Sequence, residues 1–573
     1  MRRRFLKSLG ALAALPPLEA ALGPLAARVR AEGPVADSPF ARFAPIEPTD
    51  RDALVLPDGF VHDVVLKWGD PFTADGRTFG YNNDWIGVFP GDGADDLVLV
   101  VNHEYISLAY GGDAALYPQT FEMLRGRRPE VDDQKRDVGC SVVRVRRDGD
   151  GRWQAILGDP LNRRIDAFTP MRADGPAAGL LGGGVVEGTF DNCGGQVTPW
   201  GTALTCEENF DQRVPAQVDG QGRFATGGVF NLPGGHYGWV VEFDPLDPGS
   251  VPVKHTALGR FRHENVGLRV TPGRPVVCYM GDDRLGGHVW KFVSNFSYRP
   301  GDPGNRHLLA AGRLFAARFA ADGRGEWIPL ELRTELDPNP DPKDPKPFIP
   351  RGAKRLRDCY ASPGAMLLDA YQAANAIGAT PSGRPEDLEV HPADGSVFIS
   401  FTAAPGRSGP WQNPFGEVWR IVEKGGDPLA NRFRWERFCV GARRGERAGA
   451  PFAQPDNIAI DSRGDLWLTT DLSSDVIHVH PDYVPLGNSG LFRLGVLGAR
   501  RGAVEQFASL PCEAEPTGPA FAPGEQALFL SVQHPGERWG TRRRAEDSPK
   551  GSNWPLGLPG APPQPAVVAI RRG

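Results

Sequence analysis

One hairpin unit recurs six times along this chain, and that repeat constrains the fold more than any other feature. Each copy opens with a short polar cluster, runs into an apolar strand and turns at residues rich in Asp, Gly or Pro. It then returns along a second apolar strand that ends in another polar cluster. The plainest copy runs from Pro455-Asp456-Asn457 through an Asp461…Gly464 turn to Thr470-Asp471. The other opening clusters are Asn82-Asn83-Asp84, Asn192-Cys193, His263-Glu264-Asn265, Arg384-Pro385-Glu386-Asp387 and Glu515-Pro516-Thr517. The return strands are Leu97–Val101, Thr202–Thr205, Pro275–Met280, Ser396–Phe401, Asp465–Thr470 and Ala527–Val532.

A hairpin brings the chain back to the end where it started, so the cluster before its first strand lies beside the cluster after its second. Six hairpins set radially would collect their polar clusters on one face around an axis. That is the pattern of an all-β, six-bladed β-propeller. The competing arrangement is an irregular β-sandwich with polar turns. Gly and Pro, 72 and 55 of 573 residues, favour short strands and many turns over long helices. The expected organisation is one propeller domain over 32–573, with loop and short-helix inserts near 105–190 and 290–380. Segments 121–135 and 365–378 suit short helices, and the Pro-, Asp- and Lys-rich stretch 338–350 reads as an exposed loop.

Residues 1–31 stand apart from this pattern. Arg2-Arg3-Arg4-Phe5-Leu6-Lys7 precedes an Ala/Leu-rich stretch with small residues at Ala27 and Ala31. This order reads as a twin-arginine signal peptide, an address recognised by the twin-arginine translocase and pointing to a periplasmic or secreted protein. A disordered basic N-terminus is the alternative. The apolar run is short and interrupted by Pro16, Pro17 and Glu19, so no stable membrane insertion is expected. The segment holds six basic residues and one acid, so the remainder is five charges more negative than the −6 of the whole chain. Such an acidic protein is not expected to bind nucleic acid. Seven singly scattered cysteines do not form a disulfide framework.

The densest chemistry lies between Asn192-Cys193-Gly194-Gly195 and Cys206-Glu207-Glu208-Asn209. There a cysteine faces two carboxylates across its hairpin. A thiolate among carboxylates is electrostatically unfavourable unless a multivalent cation lies between them. Glu264 pairs in the same way with Asp282 and Asp283. The candidate metal ligands are Cys193, Glu207, Glu208, Glu264, Asp282, Glu386, Asp387, Asp456 and Asp471. Oxygen ligands suit Ca²⁺ and a thiolate selects a transition metal, so the set points to a mixed-metal cluster. Arg384, beside Glu386 and Asp387, has the fork geometry for a phosphate, or else forms a structural ion pair. Asn102 and Glu104 join it as candidate catalytic residues, with His103 and His534 as further positioning groups. No phosphate-binding Gly loop, His-Glu-x-x-His or Gly-x-Ser-x-Gly motif is present.

These motifs resemble those of the PhoX alkaline phosphatases across nearly the whole chain. The specific part is Asn192-Cys193-Gly194-Gly195, Thr198-Pro199-Trp200-Gly201-Thr202 and Thr205-Cys206-Glu207-Glu208-Asn209. Tyr81–Trp85, Val101–Tyr105, His263-Glu264, Gly281–Asp283, Arg384–Asp387, Asp456-Asn457 and Val532–Pro535 add to it. The resemblance implies a six-bladed propeller that hydrolyses small-molecule phosphate monoesters with ferric iron and Ca²⁺. It also implies that Cys193, Glu264 and Glu386 hold iron and that Arg384 binds phosphate; apart from the resemblance, a monomer is expected. The alternatives are a Ca²⁺-dependent lactonase or esterase, and a non-enzymatic envelope propeller that binds a partner at its rim.

Overall fold

Return strands such as Leu97–Val101 are apolar along their whole length rather than alternating, which predicts burial on both faces. In a computed structural model of the chain every residue of Asp96–His103 is buried, as is every residue of Val397–Phe401 and Leu466–Thr470. The structure describes residues 35, 38–106, 130–183, 185–339, 346–402, 413–446, 450–474, 476–542, 544 and 549–573. The expected signal segment 1–31 lies outside the described residues.

The fold is mostly β, with 40% of the described residues in strands and 12% in helices. All six expected hairpins are present. Their first strands are Asn83–Gly93, Asn192–Val197, His263–Arg269, Pro385–Val390, Pro455–Ile460 and Glu515–Phe521. Each pairs antiparallel with its return strand. Two more strands follow each hairpin, as in the sheet ordered Pro455–Ile460, Leu466–Thr470, Gly490–Leu494, Val504–Ser509. In the last group the fourth strand is Phe60–Lys67, from the other end of the chain, paired with Ala566–Arg572.

Each first strand packs on the first strands of the groups before and after it, and the first and sixth also pack together. Apolar clusters fill the spaces between neighbouring groups. Phe89, Val98 and Val100 meet Ala203, Trp239 and Val241 between the first and second. Trp467, Leu491 and Phe507 meet Leu528, Leu530 and Val568 between the fifth and sixth.

Two expectations change. The six groups do not form six separate sheets, because the extra strand Arg324–Pro329 pairs with both Gly312–Phe319 and Arg432–Val440. This joins the third and fourth groups into one nine-stranded sheet and pairs two outer edges that would otherwise lie open. The stretches expected as inserts also hold sheet strands, among them Gly139–Arg147 and Gly312–Phe319. Of the expected short helices, Pro363–Leu368 and Ala370–Ala376 form over 365–378, and Val131–Asp137 covers the end of 121–135. Residues 121–129 of that segment lie outside the described residues.

Trp467 is fully buried at the junction of the last two groups, edge-on to Phe40 and donating to Asp461 Oδ2 at 3.1 Å. Trp467→Ala should destabilise the fold by about 3–5 kcal/mol, read as a lower chemical-denaturation midpoint with an unchanged spectrum in the native baseline.

Candidate metal and catalytic centre

All six first strands begin with the same local irregularity. In the first five, the register slips between Asn83 and Ile86, across the Thr205–Glu207 pairing of the second hairpin, between His263 and Val266, between Pro385 and Leu388, and between Pro455 and Ile458. Each slip puts one extra residue into the strand, a bulge that leaves it unpaired and re-aims its side chain. The residue after the last regular pair is Asp84, Cys193, Glu264, Glu386 or Asp456. The residue after its partner on the return strand is Glu104, Glu208, Asp283, Thr402 or Asp471. In the sixth hairpin the slip falls between Thr517 and Ala520, and the matching first-strand position is Gly518.

Seven of these side chains form one continuous run. Ligand atoms lie within 4.8 Å of one another in three overlapping sets: Asp84, Glu104 and Cys193; Cys193, Glu208 and Glu264; Glu264, Asp283 and Glu386. The Cys193 thiol donates to Glu264 Oε1 at 3.2 Å and Asp84 Oδ2 at 3.4 Å. Gln533 Nε2 donates to Asp84 and Glu104, both at 3.0 Å. Asn209 Nδ2 donates to Glu208 at 2.7 Å and Glu104 at 3.2 Å. These amides orient carboxylates whose other oxygens stay available. Asp84 Oδ1 is buried with no hydrogen-bond partner.

Burial, with mutual repulsion added, raises the carboxyl pKa of Glu104, Glu208 and Glu264 well above the ordinary range. Burial takes Asp84 to about 7, and burial beside these acids pushes the Cys193 thiol well up. So many anions cannot share a buried site without positive charge among them. Multivalent cations fit this donor set: several carboxylates, one thiol and an unpartnered buried oxygen.

Arg384 sits at the end of the run with φ +56°, a left-handed conformation at the entry to its bulge. Its fork grips Asp283 through Nε at 2.9 Å and Nη2 at 2.8 Å, and Nη2 lies 3.1 Å from Glu386. Burial opposes charge on Asp283, but Arg384 outweighs it and holds the Asp283 pKa down. The Arg384 side chain is 30% exposed, against 7% and 3% for Asp283 and Glu386, so it is the member of this group that faces solvent. Asp471 lies 3.7 Å from its Nη1. Asp456 is hydrogen-bonded to Glu515 and lies close enough to Asp84 and Asp471 to be repelled by them, so it belongs to the same face.

Four expected site residues are elsewhere. Glu207 pairs with its own first strand and turns into the core, where Lys254 Nζ at 2.6 Å and the Gly238 and Trp239 amides bind it. Asp282 does the same one hairpin later, held by Arg284 Nε at 2.8 Å. Asp387 accepts from the Ile458 amide at 2.7 Å and from Asn265, linking neighbouring first strands. Asn102 is fully buried, and its Nδ2 donates to the Cys193 and Gly194 carbonyls at 2.7 and 2.8 Å. It therefore fixes the Cys193 turn instead of meeting a substrate. His103 bonds Tyr81 O and Ser141, and His534 bonds Glu513 O and Glu515. The sequence-based ligand set lacks Asp84, Asp283 and Glu515. Aligning the hairpins on their paired residues is the signal that finds the first two.

The model of the alkaline phosphatase PhoX family matches residues 41–536. The chain belongs to the PhoX family. The structure of Pseudomonas fluorescens PhoX in complex with vanadate, a transition state analogue, is 30% identical with a TM-score of 0.75, covering 92% of this chain and 98% of that one. A candidate glycoside hydrolase from Parabacteroides distasonis is 10% identical with a TM-score of 0.31, covering 80% and 96%. An apocarotenoid oxygenase of Synechocystis is 11% identical with a TM-score of 0.28, covering 81% and 95%. Both are too distant to bear on function. No curated protein matches the chain. This PhoX-family protein is a metal-dependent phosphatase of small phosphate esters, which sets aside the lactonase and binding-only alternatives.

Two substitutions separate the inward and mouth-facing acids. Lys254→Met leaves Glu207 charged and unpaired in the core, so stability should fall by about 3–5 kcal/mol while bound metal per folded molecule stays constant; Glu208→Gln should instead lower metal content. Asn102→Ala strands two buried carbonyls behind Cys193 and should weaken metal retention about 10- to 100-fold, measured by chelator competition.

Proposed function

We propose that this phosphatase is a six-bladed β-propeller whose mouth holds iron and calcium, and that it works outside the cytoplasm. The observation that carries the reading is the buried run of six carboxylates and one thiol that ends at the half-buried Arg384. The ring of six packed first strands and the pairing of Phe60–Lys67 with the C-terminal strand support the propeller. A thiol amid hard oxygen ligands favours a transition metal near Cys193, with Glu264, Asp84 and Glu208 as its neighbours. All-oxygen sets at Glu264, Asp283 and Glu386 suit calcium better.

Bound cations would supply positive charge to the phosphate oxygens in the transition state. Arg384, pre-set by Asp283, turns its remaining donors toward an anion entering the mouth and adds charge where the transferring group needs it. Asn209 and Gln533 hold Glu208, Glu104 and Asp84 in fixed orientation, so little reorganisation accompanies substrate arrival. Asp283 has two tasks, since it steadies Arg384 and belongs to the donor run.

The Arg2–Lys7 order and the apolar stretch behind it support export of the folded protein by the twin-arginine route, to the periplasm or beyond. Loading a thiol-bound transition metal before export also suits that route, because the cytoplasm fixes which metal is bound.

Cys193→Ala should lose iron by elemental analysis and phosphatase activity together, with the far-ultraviolet spectrum and the bulk of the calcium retained. Full activity on an aryl phosphate in that variant would refute the thiolate site. Arg384→Met should lower kcat by about 10²–10³-fold without loss of metal.

A further inference from the structure

Residues 346–357 depart from the protein's acidic character. Lys346, Arg351, Lys354, Arg355 and Arg357 fall there with no acid among them, in a chain of net charge −6. The stretch follows the strand Arg324–Pro329 and precedes the helix Pro363–Leu368. At its tip Phe348 is 89% exposed, more than any other large apolar side chain among the described residues. Pro347 and Pro350 flank it and restrict the backbone on either side.

The base of the loop is anchored. Ile349 and Leu336 pack against the apolar cluster between the second and third groups. The Leu336 amide donates to Lys354 O at 2.9 Å and the Leu356 amide to Thr334 O at 3.0 Å. Asp358 accepts from the Lys354 and Arg355 amides at 2.8 and 2.9 Å. Arg355 pairs with Glu335 at 3.2 Å, whereas Arg351, Lys354 and Arg357 form no ion pair among the described residues. A basin of about 910 Å³ lies along Arg351, Lys354, Arg355 and Arg357, with Glu335 and Asp358 also on its lining.

A projecting aromatic ring beside a fixed group of cations matches a bilayer interface: the ring enters the acyl boundary while the cations meet anionic headgroups. A nucleic acid would also attract the charge, but the lone Phe348 between two prolines offers no stacking row along a strand. We propose that the 346–357 loop docks this protein reversibly on membranes rich in anionic phospholipid, as a surface contact distinct from the metal centre. No described helix is long and apolar enough to cross a membrane, so the contact would be peripheral.

Co-sedimentation of the full chain with vesicles tests this, using phosphatidylglycerol–phosphatidylethanolamine against pure phosphatidylcholine. The expected result is binding to the anionic vesicles alone, weakened by salt. Phe348→Ser and the pair Arg351→Glu, Lys354→Glu should each reduce partitioning at least about tenfold, with hydrolysis of a soluble ester unchanged. All proteins compared carry the same N-terminal segment, so a difference between them belongs to the loop. Equal partitioning of parent and variants would overturn the proposal, as would absence of binding to anionic vesicles. Single-stranded DNA binding lost in the charge-reversed variant but kept in Phe348→Ser, without vesicle binding, would assign the patch to nucleic acid instead.

Discussion

The mutual repulsion of buried anions at the mouth governs the rest of this structure. Asp84, Glu104, Glu208, Glu264, Asp283 and Glu386 crowd around one thiol, and among them only Asp283 has a cationic side chain in a full fork contact. Water cannot screen charges at this depth, so the arrangement persists either by protonation or by taking up cations. A framework that holds such a set together has to resist its spreading apart. The six groups of strands do so by packing first strand against first strand without a break.

That resistance is reinforced by polar stitches between neighbouring first strands. Asn102 reaches from the first hairpin to the Cys193 and Gly194 carbonyls of the second. Asp387 receives the Ile458 amide, Asn457 receives the Gly518 amide at 2.7 Å, and Ser531 donates to Asp84 O at 2.7 Å. Each stitch satisfies backbone that a bulge has released from the ladder. The polar clusters therefore contain two populations with the same composition: groups aimed at the mouth, and groups that hold the bulges in shape. Asn102 and Asp387 read as site residues in the sequence because nothing in their identity separates the two.

Adjacent acids pose the same difficulty in sharper form. Glu207 and Glu208 are consecutive, as are Asp282 and Asp283, and each pair sends one member inward and one to the mouth. Side chains alternate along a strand, so a one-residue difference in register exchanges their fates. The register is set by the bulge in the opposite strand. That bulge leaves little trace in sequence beyond a left-handed residue before it, at Asn82, Asp191, Arg384 and Gln454. Lys254, whose ammonium receives Glu207, lies 47 positions further on and carries no local signal of that role.

From the sequence alone came the six hairpins, their return strands, the burial of those strands and the concentration of acids with Cys193 at one end. All of these follow from local periodicity and from the rule that a hairpin brings its two ends together. Tertiary structure decided which acid of each pair faces the mouth, that Asn102 clamps backbone, that Asp84 and Asp283 belong to the donor run, and that two groups fuse through Arg324–Pro329. Those outcomes depend on register and on neighbours distant in the chain, where one residue of slip or one long-range ion pair changes the direction of a side chain without altering the pattern that predicts the strand.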